Sequence, residues 1–148
     1  KVDQLILNQA IDNFKINSYS QSMDIKNFDV SFARGLSLED GCTTITEFTA
    51  YLIAEGLKHI SQQNKITFLL CGGGRKNNYL IDSIKTYLKN ENNICIEIID
   101  NYNFKGDYIE SQAFAYLAIR SFLNLPISFN STTGCKDFTV GGKLVKNF

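Results

Sequence analysis

The chain has 148 residues, 15 of them basic and 15 acidic, so its formal net charge is zero. That length fits one domain, residues 1–148, and an apolar share of 44% is enough for a sizeable core. The balanced charge gives neither a basic nucleic-acid face nor a polybasic membrane patch, and no apolar run approaches the about 20 residues that span a bilayer.

Residues 1–13 place Leu5, Ile6, Ala10 and Ile11 at helical spacing and read as the tail of a helix whose beginning is missing. The chain starts at Lys1 without an initiator Met or a signal-like segment, so it is expected to be cut or to belong to something longer. Residues 14–29 are rich in Ser, Asn, Lys and Asp without a period and read as an irregular connector. Ser37, with Glu39 and Asp40 behind it, marks a helix start: the hydroxyl caps free N–H groups, and acids suit the positive end of the dipole. This helix is expected to reach about Ile60, with Ile45, Phe48, Leu52, Ile53, Gly56, Leu57 and Ile60 on its apolar face. Thr43, Thr44, Thr46 and Thr49 are weak helix formers whose preference packing must override.

Residues 66–71 form a short apolar run of strand length, 72–77 a glycine turn, and 78–88 a helix with Leu80, Ile81, Ile84, Tyr87 and Leu88 on one face. After a polar turn at 89–93, residues 94–99 read as a second buried strand with Asp100 at its end. A loop at 101–106 leads to Asp107 and Glu110, which have capping-box spacing and open a well-buried helix to about Leu123. Pro126 prevents its continuation. Residues 131–134 read as a polar turn, and 139–145 as a short terminal strand. The alternation of helices and strands predicts an α/β fold with a parallel pair in the sheet.

The four cysteines, Cys42, Cys71, Cys95 and Cys135, make no C-x-x-C motif, and no metal site is expected. Cys71 and Cys95 are expected in buried strands as small hydrophobes, in a reduced cytoplasmic setting. His59 reads as a surface or helix-end residue rather than a ligand or base.

The chemistry concentrates at the strand, glycine loop and helix of residues 66–88. Three glycines remove every Cβ from the turn, so a ligand can lie against backbone, and the following helix aims free N–H groups at the same spot. Such a turn also occurs in α/β proteins with no ligand there, and the pattern alone leaves both readings open. Two nucleotide readings compete. A dinucleotide fold wants G-x-G-x-x-G with an acid at the end of the next strand; Asp100 fits, but Asn77 stands where the third glycine belongs. The G-G-G-x-x-N adenosine loop of sugar kinases, Hsp70 and actin matches Gly72, Gly73, Gly74 and Asn77 directly.

Further stretches extend the second match. Leu70-Cys71-Gly72-Gly73-Gly74-Arg75-Lys76-Asn77, then Gly106-Asp107-Tyr108-Ile109-Glu110 running on to Ala118, then Leu125-Pro126 with Ser131-Thr132-Thr133-Gly134, resemble the C-terminal half of the anhydro-N-acetylmuramic acid kinase family. Glu47-Phe48-Thr49-Ala50 resembles that family's helix before the loop. The resemblance implies the ribonuclease H-like half of an actin-like ATPase fold, a short, mostly parallel sheet flanked by helices. It implies ATP with Mg2+ as cofactor, and a kinase that opens the anhydro ring with water and phosphorylates the 6-hydroxyl. Gly72, Gly73, Gly74 and Asn77 would contact the adenine nucleotide, and Glu110 would face the anhydro-amino sugar.

Departures from the family pattern are visible. Asn78 replaces the proline after the loop's Asn, and Ser111 replaces an alanine. A Lys-Ser-Thr-Gly-Arg-Glu segment is scarcely visible near residues 21–26. The family's Gly-Thr-Ser-x-Asp-Gly phosphate loop and its Asp-Thr-Gly-Pro segment with the catalytic aspartate do not occur in these 148 residues. The chain alone is therefore expected to carry no catalytic base and to be inactive. Its expected partner is a complementary N-terminal half or a second copy of itself.

Overall fold

The computed structural model describes residues 1–14, 24–61, 65–143 and 145. In chain order they form α1 (Gln4–Asn13), 3-10 turns at Ile25–Asn27 and Ser31–Ala33, α2 (Leu38–Ile60), β1 (Ile66–Leu70), and a 3-10 turn at Gly73–Lys76. Then come α3 (Asn78–Tyr87), β2 (Ile94–Ile98), a 3-10 turn at Ile99–Tyr102, α4 (Ile109–Phe122) and α5 (Asn130–Thr133). The two strands pair in parallel, Ile66 opposite Ile94 through Leu70 opposite Ile98, with α3 as the crossover. This is an α/β fold with a parallel pair and flanking helices, consistent with part of a sugar-kinase fold. Most of the connector predicted at 14–29 lies outside the described residues.

Helix α2 is the spine. The Ser37 hydroxyl accepts from the Asp40 N–H at 3.1 Å, the cap its sequence predicts. Its threonines satisfy themselves: Thr43, Thr44, Thr46 and Thr49 each donate to the carbonyl four residues back, at 2.6–2.8 Å. Thr44 also accepts from the Asp3 N–H at 3.0 Å, tying α1 to α2. The predicted face is borne out at Phe48, Leu52 and Leu57, which bury or pack against the core, and corrected elsewhere. Ala50 and Ala54 are fully buried, whereas Ile53 and Ile60 are exposed. Small side chains let α3 come close, and Ile84 and Leu88 complete that seam with Leu57, Leu80, Ile94 and Ile96 around it.

A second cluster joins Leu7 and Ala10 of α1 to Phe48 of α2, with Phe14 and Phe32 edge-on to Phe48 at ring separations of 5.6 and 5.0 Å. Helix α1 starts with its own cap rather than as the tail of a longer helix: Asp3 accepts from the Ile6 N–H at 3.0 Å. Leu7 is its buried leucine and Leu5 is exposed.

Further expectations are corrected. Strand β1 alternates between half-buried and exposed residues, and β2 is half-buried throughout, so neither strand is an interior one. Cys71 is accordingly exposed and Cys95 only partly covered. Helix α4 has no buried residue, because among the described residues no other element packs closely along it. Residues 139–145 form no strand among those described; Thr139 makes a single antiparallel bridge with Ser128. The turn expected at 131–134 winds once as α5 and ends at Gly134 in a left-handed conformation.

Candidate functional site

The glycine turn leaves β1 through Gly72, whose φ of +73° lies in the left-handed region that suits glycine. The chain then makes one 3-10 turn and enters α3 through Asn77. The Asn77 side chain accepts from the Leu80 N–H at 3.1 Å, so it is the cap that sets the start of α3. A Cβ placed on Gly72 or Gly73 would meet nothing within 4 Å, and one on Gly74 only Leu80 Cδ2 at 3.9 Å. The turn therefore lies open at the surface beside the N-terminus of α3. Packing within the chain does not account for the missing side chains at Gly73 and Gly74. They leave main-chain N–H groups accessible, which is what an anionic or planar ligand needs.

Arg75 is the residue that sequence reasoning missed. Its side chain is only 7% exposed. Nε donates to Asp100 Oδ2 at 2.7 Å and a terminal nitrogen to Asp100 Oδ1 at 3.1 Å, a two-pronged grip. The other terminal nitrogen donates to Asp107 Oδ1 at 2.7 Å and to the Gly72 carbonyl at 2.8 Å. Lys76 adds a more exposed contact to Asp107 at 2.8 Å. Arg75 holds both carboxyls below the usual carboxylate range, Asp107 more strongly with the help of Lys76. The Gly72 N–H donates to the Gly106 carbonyl at 3.0 Å, so the two loops are also joined through main chain. A clue to all this was present: one arginine inside a glycine turn, with acids at the next strand end and before the next helix.

This arrangement reassigns two residues. Asp107 is not a helix cap; α4 starts after Tyr108 with no side-chain cap, and the Asp107 carboxylate belongs to Arg75 and Lys76. Both Asp100 oxygens are held by Arg75, and Oδ1 also accepts from the Gly106 N–H at 3.4 Å, so its carboxylate is committed first to this corner rather than to a ribose. Glu110, in the first turn of α4, is exposed and has no hydrogen bond or ion pair among the described residues. The capping role that competed for Glu110 is not seen. Its carboxylate is free, three residues after the one Arg75 holds.

Beneath the turn, Glu47 of α2 accepts from Tyr79 Oη at 2.9 Å and Ser83 Oγ at 2.8 Å. Burial pushes the neighbouring Tyr87 up to about 12, and the Glu47 charge adds to the effect. This polar bridge fixes α3, and with it the loop, on α2. Two clefts, of about 630 Å³ between α1, Phe32 and Phe48 and of about 410 Å³ between the end of α4 and Gly142, lie away from the glycine turn. The turn is an open wall rather than an enclosed pocket. Among the described residues no group of three or more His, Cys, Asp or Glu gathers to hold a metal ion, and no helix is long and apolar enough to cross a membrane.

The family model for anhydro-N-acetylmuramic acid kinase matches residues 14–147, a stretch containing the glycine turn, Arg75, the Gly106–Asp107 corner and Glu110. The chain belongs to the anhydro-N-acetylmuramic acid kinase family. It is 52% identical over its whole length to the anhydro-N-acetylmuramic acid kinase of Pelagibacter ubique (strain HTCC1062), covering 40% of that protein. It is 37% identical to that of Rhizorhabdus wittichii over 95% of the chain and 38% of the relative, and 36% identical to that of Brucella canis over 90% and 35%. The chain thus spans about two fifths of the length of the curated relatives it matches.

Proposed function

We propose that these residues are the nucleotide-side lobe of an ATP-dependent kinase that opens the ring of 1,6-anhydro-N-acetylmuramic acid with water and transfers a phosphoryl group to the 6-hydroxyl. The observation that carries this reading is the exposed triple-glycine turn feeding the capped start of α3, inside the region that the family model matches. Gly72, Gly73, Gly74 and Asn77 line the adenine nucleotide. Glu110, free and exposed at the start of α4, faces the sugar. Mg2+ accompanies ATP through its phosphate oxygens, the usual mode for that ion. The setting is cytoplasmic, where ATP is available.

Phosphoryl transfer depends on positioning phosphates, metal and nucleophile together. The 148 residues supply a nucleotide wall and part of a sugar wall, and the base that activates water is to come from a complementary lobe. The test is calorimetric titration of the chain with ADP and Mg2+. Binding is expected, and Gly73→Asp should abolish it by filling the open space and repelling phosphate. An absence of binding, or binding unchanged by that substitution, would refute the nucleotide assignment. Phosphorylation of the anhydro-sugar by the 148-residue chain alone would refute its inactivity.

A second reading, an interaction module, is favoured by α4. Phe114, Tyr116, Ile119 and Phe122 are 58–69% exposed along one helix, more apolar surface than a lone helix keeps in water. It predicts self-association through that helix, read by sedimentation velocity and reversed by Phe122→Ser; a monomer at all concentrations counts against it.

A further inference from the structure

We infer that Arg75 is a positioning residue that locks the nucleotide turn and the start of Glu110's helix into one rigid unit, so that occupancy of the first is transmitted to the second. The inference rests on the nucleotide reading above and deepens it. The geometry is specific. One guanidinium, on a side chain only 7% exposed, reaches the Gly72 carbonyl in the turn, Asp100 at the end of β2 and Asp107 before α4. A planar fork with five donors can serve three partners at once, which an ammonium cannot do with the same rigidity.

Gly106 completes the fit. A Cβ there would lie 2.4 Å from Arg75 Nε and 2.7 Å from Asp100 Oδ2, so glycine at 106 is what lets the guanidinium lie flat against the corner. The Gly72–Gly106 main-chain bond then seals the two loops edge to edge. The Gly-Gly-Gly-Arg turn and the Gly-Asp corner, some thirty residues apart, are therefore halves of one clamp. Glu110 follows from the clamped Asp107 within a single turn of chain. A ligand that stiffens the glycine turn must stiffen the corner, because the same side chain holds both. Lys76 contributes little, since its ammonium reaches Asp107 from solvent and is screened there.

Amide hydrogen exchange, read by NMR on the full chain with and without saturating ADP and Mg2+, tests this. In the wild type, ADP should slow exchange at residues 72–77 and also at 112–113, the first amides of α4 that are hydrogen-bonded, Gln112 to the Tyr108 carbonyl. In Asp107→Ala the protection of 72–77 should persist, and that of 112–113 should fall by about tenfold, the size of one charge-assisted hydrogen bond. Lys76→Ala should retain both. A purely structural role would instead loosen Ile84 and Ile96 along with the corner. The inference is overturned if Asp107→Ala keeps the protection at 112–113 or if Lys76→Ala loses as much. If ADP protects nothing in the wild type, it is the nucleotide reading that fails. The clamp is then read without ligand: Arg75→Lys should speed exchange at Gly72 and Gly106 together with Ile84 and Ile96 unchanged, and loosening of only one loop overturns it.

Discussion

Replacing Gly106 by alanine puts a methyl group where one Cα hydrogen stood, and the structure makes its effect the reverse of the usual one. Gly106 lacks a positive φ, so its backbone accepts alanine. On backbone entropy alone the change would stabilise by about 0.4–1 kcal/mol. The new methyl, however, would sit 2.4 Å from Arg75 Nε and 2.8 Å from its Cζ. Those atoms cannot swing away, because the guanidinium is held by Asp100, Asp107 and Gly72. Relief therefore requires the 106 corner to move and strains the Gly72–Gly106 bond. Overpacking of this kind costs about 1–3 kcal/mol. For a chain of this size that lowers Tm by about 3–10 °C. Thermal and urea unfolding followed by circular dichroism measure it directly. Gly73→Ala is the control: its methyl meets nothing within 4 Å, so it should stay within about 0.5 kcal/mol of the wild type. Shortening Arg75 to alanine in the same chain should relieve most of the Gly106→Ala cost, since neighbours in contact do not add. A Gly106→Ala variant as stable as the wild type, or one whose cost is unchanged in the Arg75→Ala background, would refute the clamp geometry.

Asn77→Ala removes the acceptor for the Leu80 N–H and should cost about 0.5–2 kcal/mol, read as a lower urea midpoint with an unchanged slope. Ile84→Ala, at a site 2% exposed in the seam between α2 and α3, should cost about 2–5 kcal/mol by the same assay. Asp100 and Asp107 have folded-state values below the ordinary carboxylate value, so their contribution is present above about pH 4 and is lost as pH falls through the lowered values. Stability measured from pH 6 down to pH 2 should therefore drop, and the drop should be smaller in Asp107→Asn. A spectrophotometric titration should find one tyrosine, Tyr87, ionising near 12, after the more exposed ones.

The strand–turn–helix unit and the long helix were legible because their signals are local. The Ser37 cap, the apolar runs at 66–70 and 94–98 and the spacing of Ile81, Ile84 and Leu88 each act within a few residues. The glycine turn was legible as an open backbone for the same reason. Where a distant partner competed, local signals misled. Asp107 and Glu110 have capping spacing, yet Arg75, over thirty residues back, takes the carboxylate. The α2 face was assigned to its largest side chains, whereas the seam with α3 selects Ala50 and Ala54 because closeness matters more than size. The burial of α4 was misjudged because an apolar helix does not reveal whether a neighbour covers it. Glu110 shows the other limit: its spacing from Asp107 points only to a cap, which the structure lacks, and the sugar-facing role proposed for it comes from family resemblance alone.

The bare side of α4 has a practical consequence for anyone making the protein as these 148 residues. Four large apolar side chains stand in water on one helix, so yield will be limited by clumping during and after synthesis rather than by how firmly the α2–α3 seam holds. Tightening that seam would leave soluble yield where it was. One or two polar replacements on α4 would raise it.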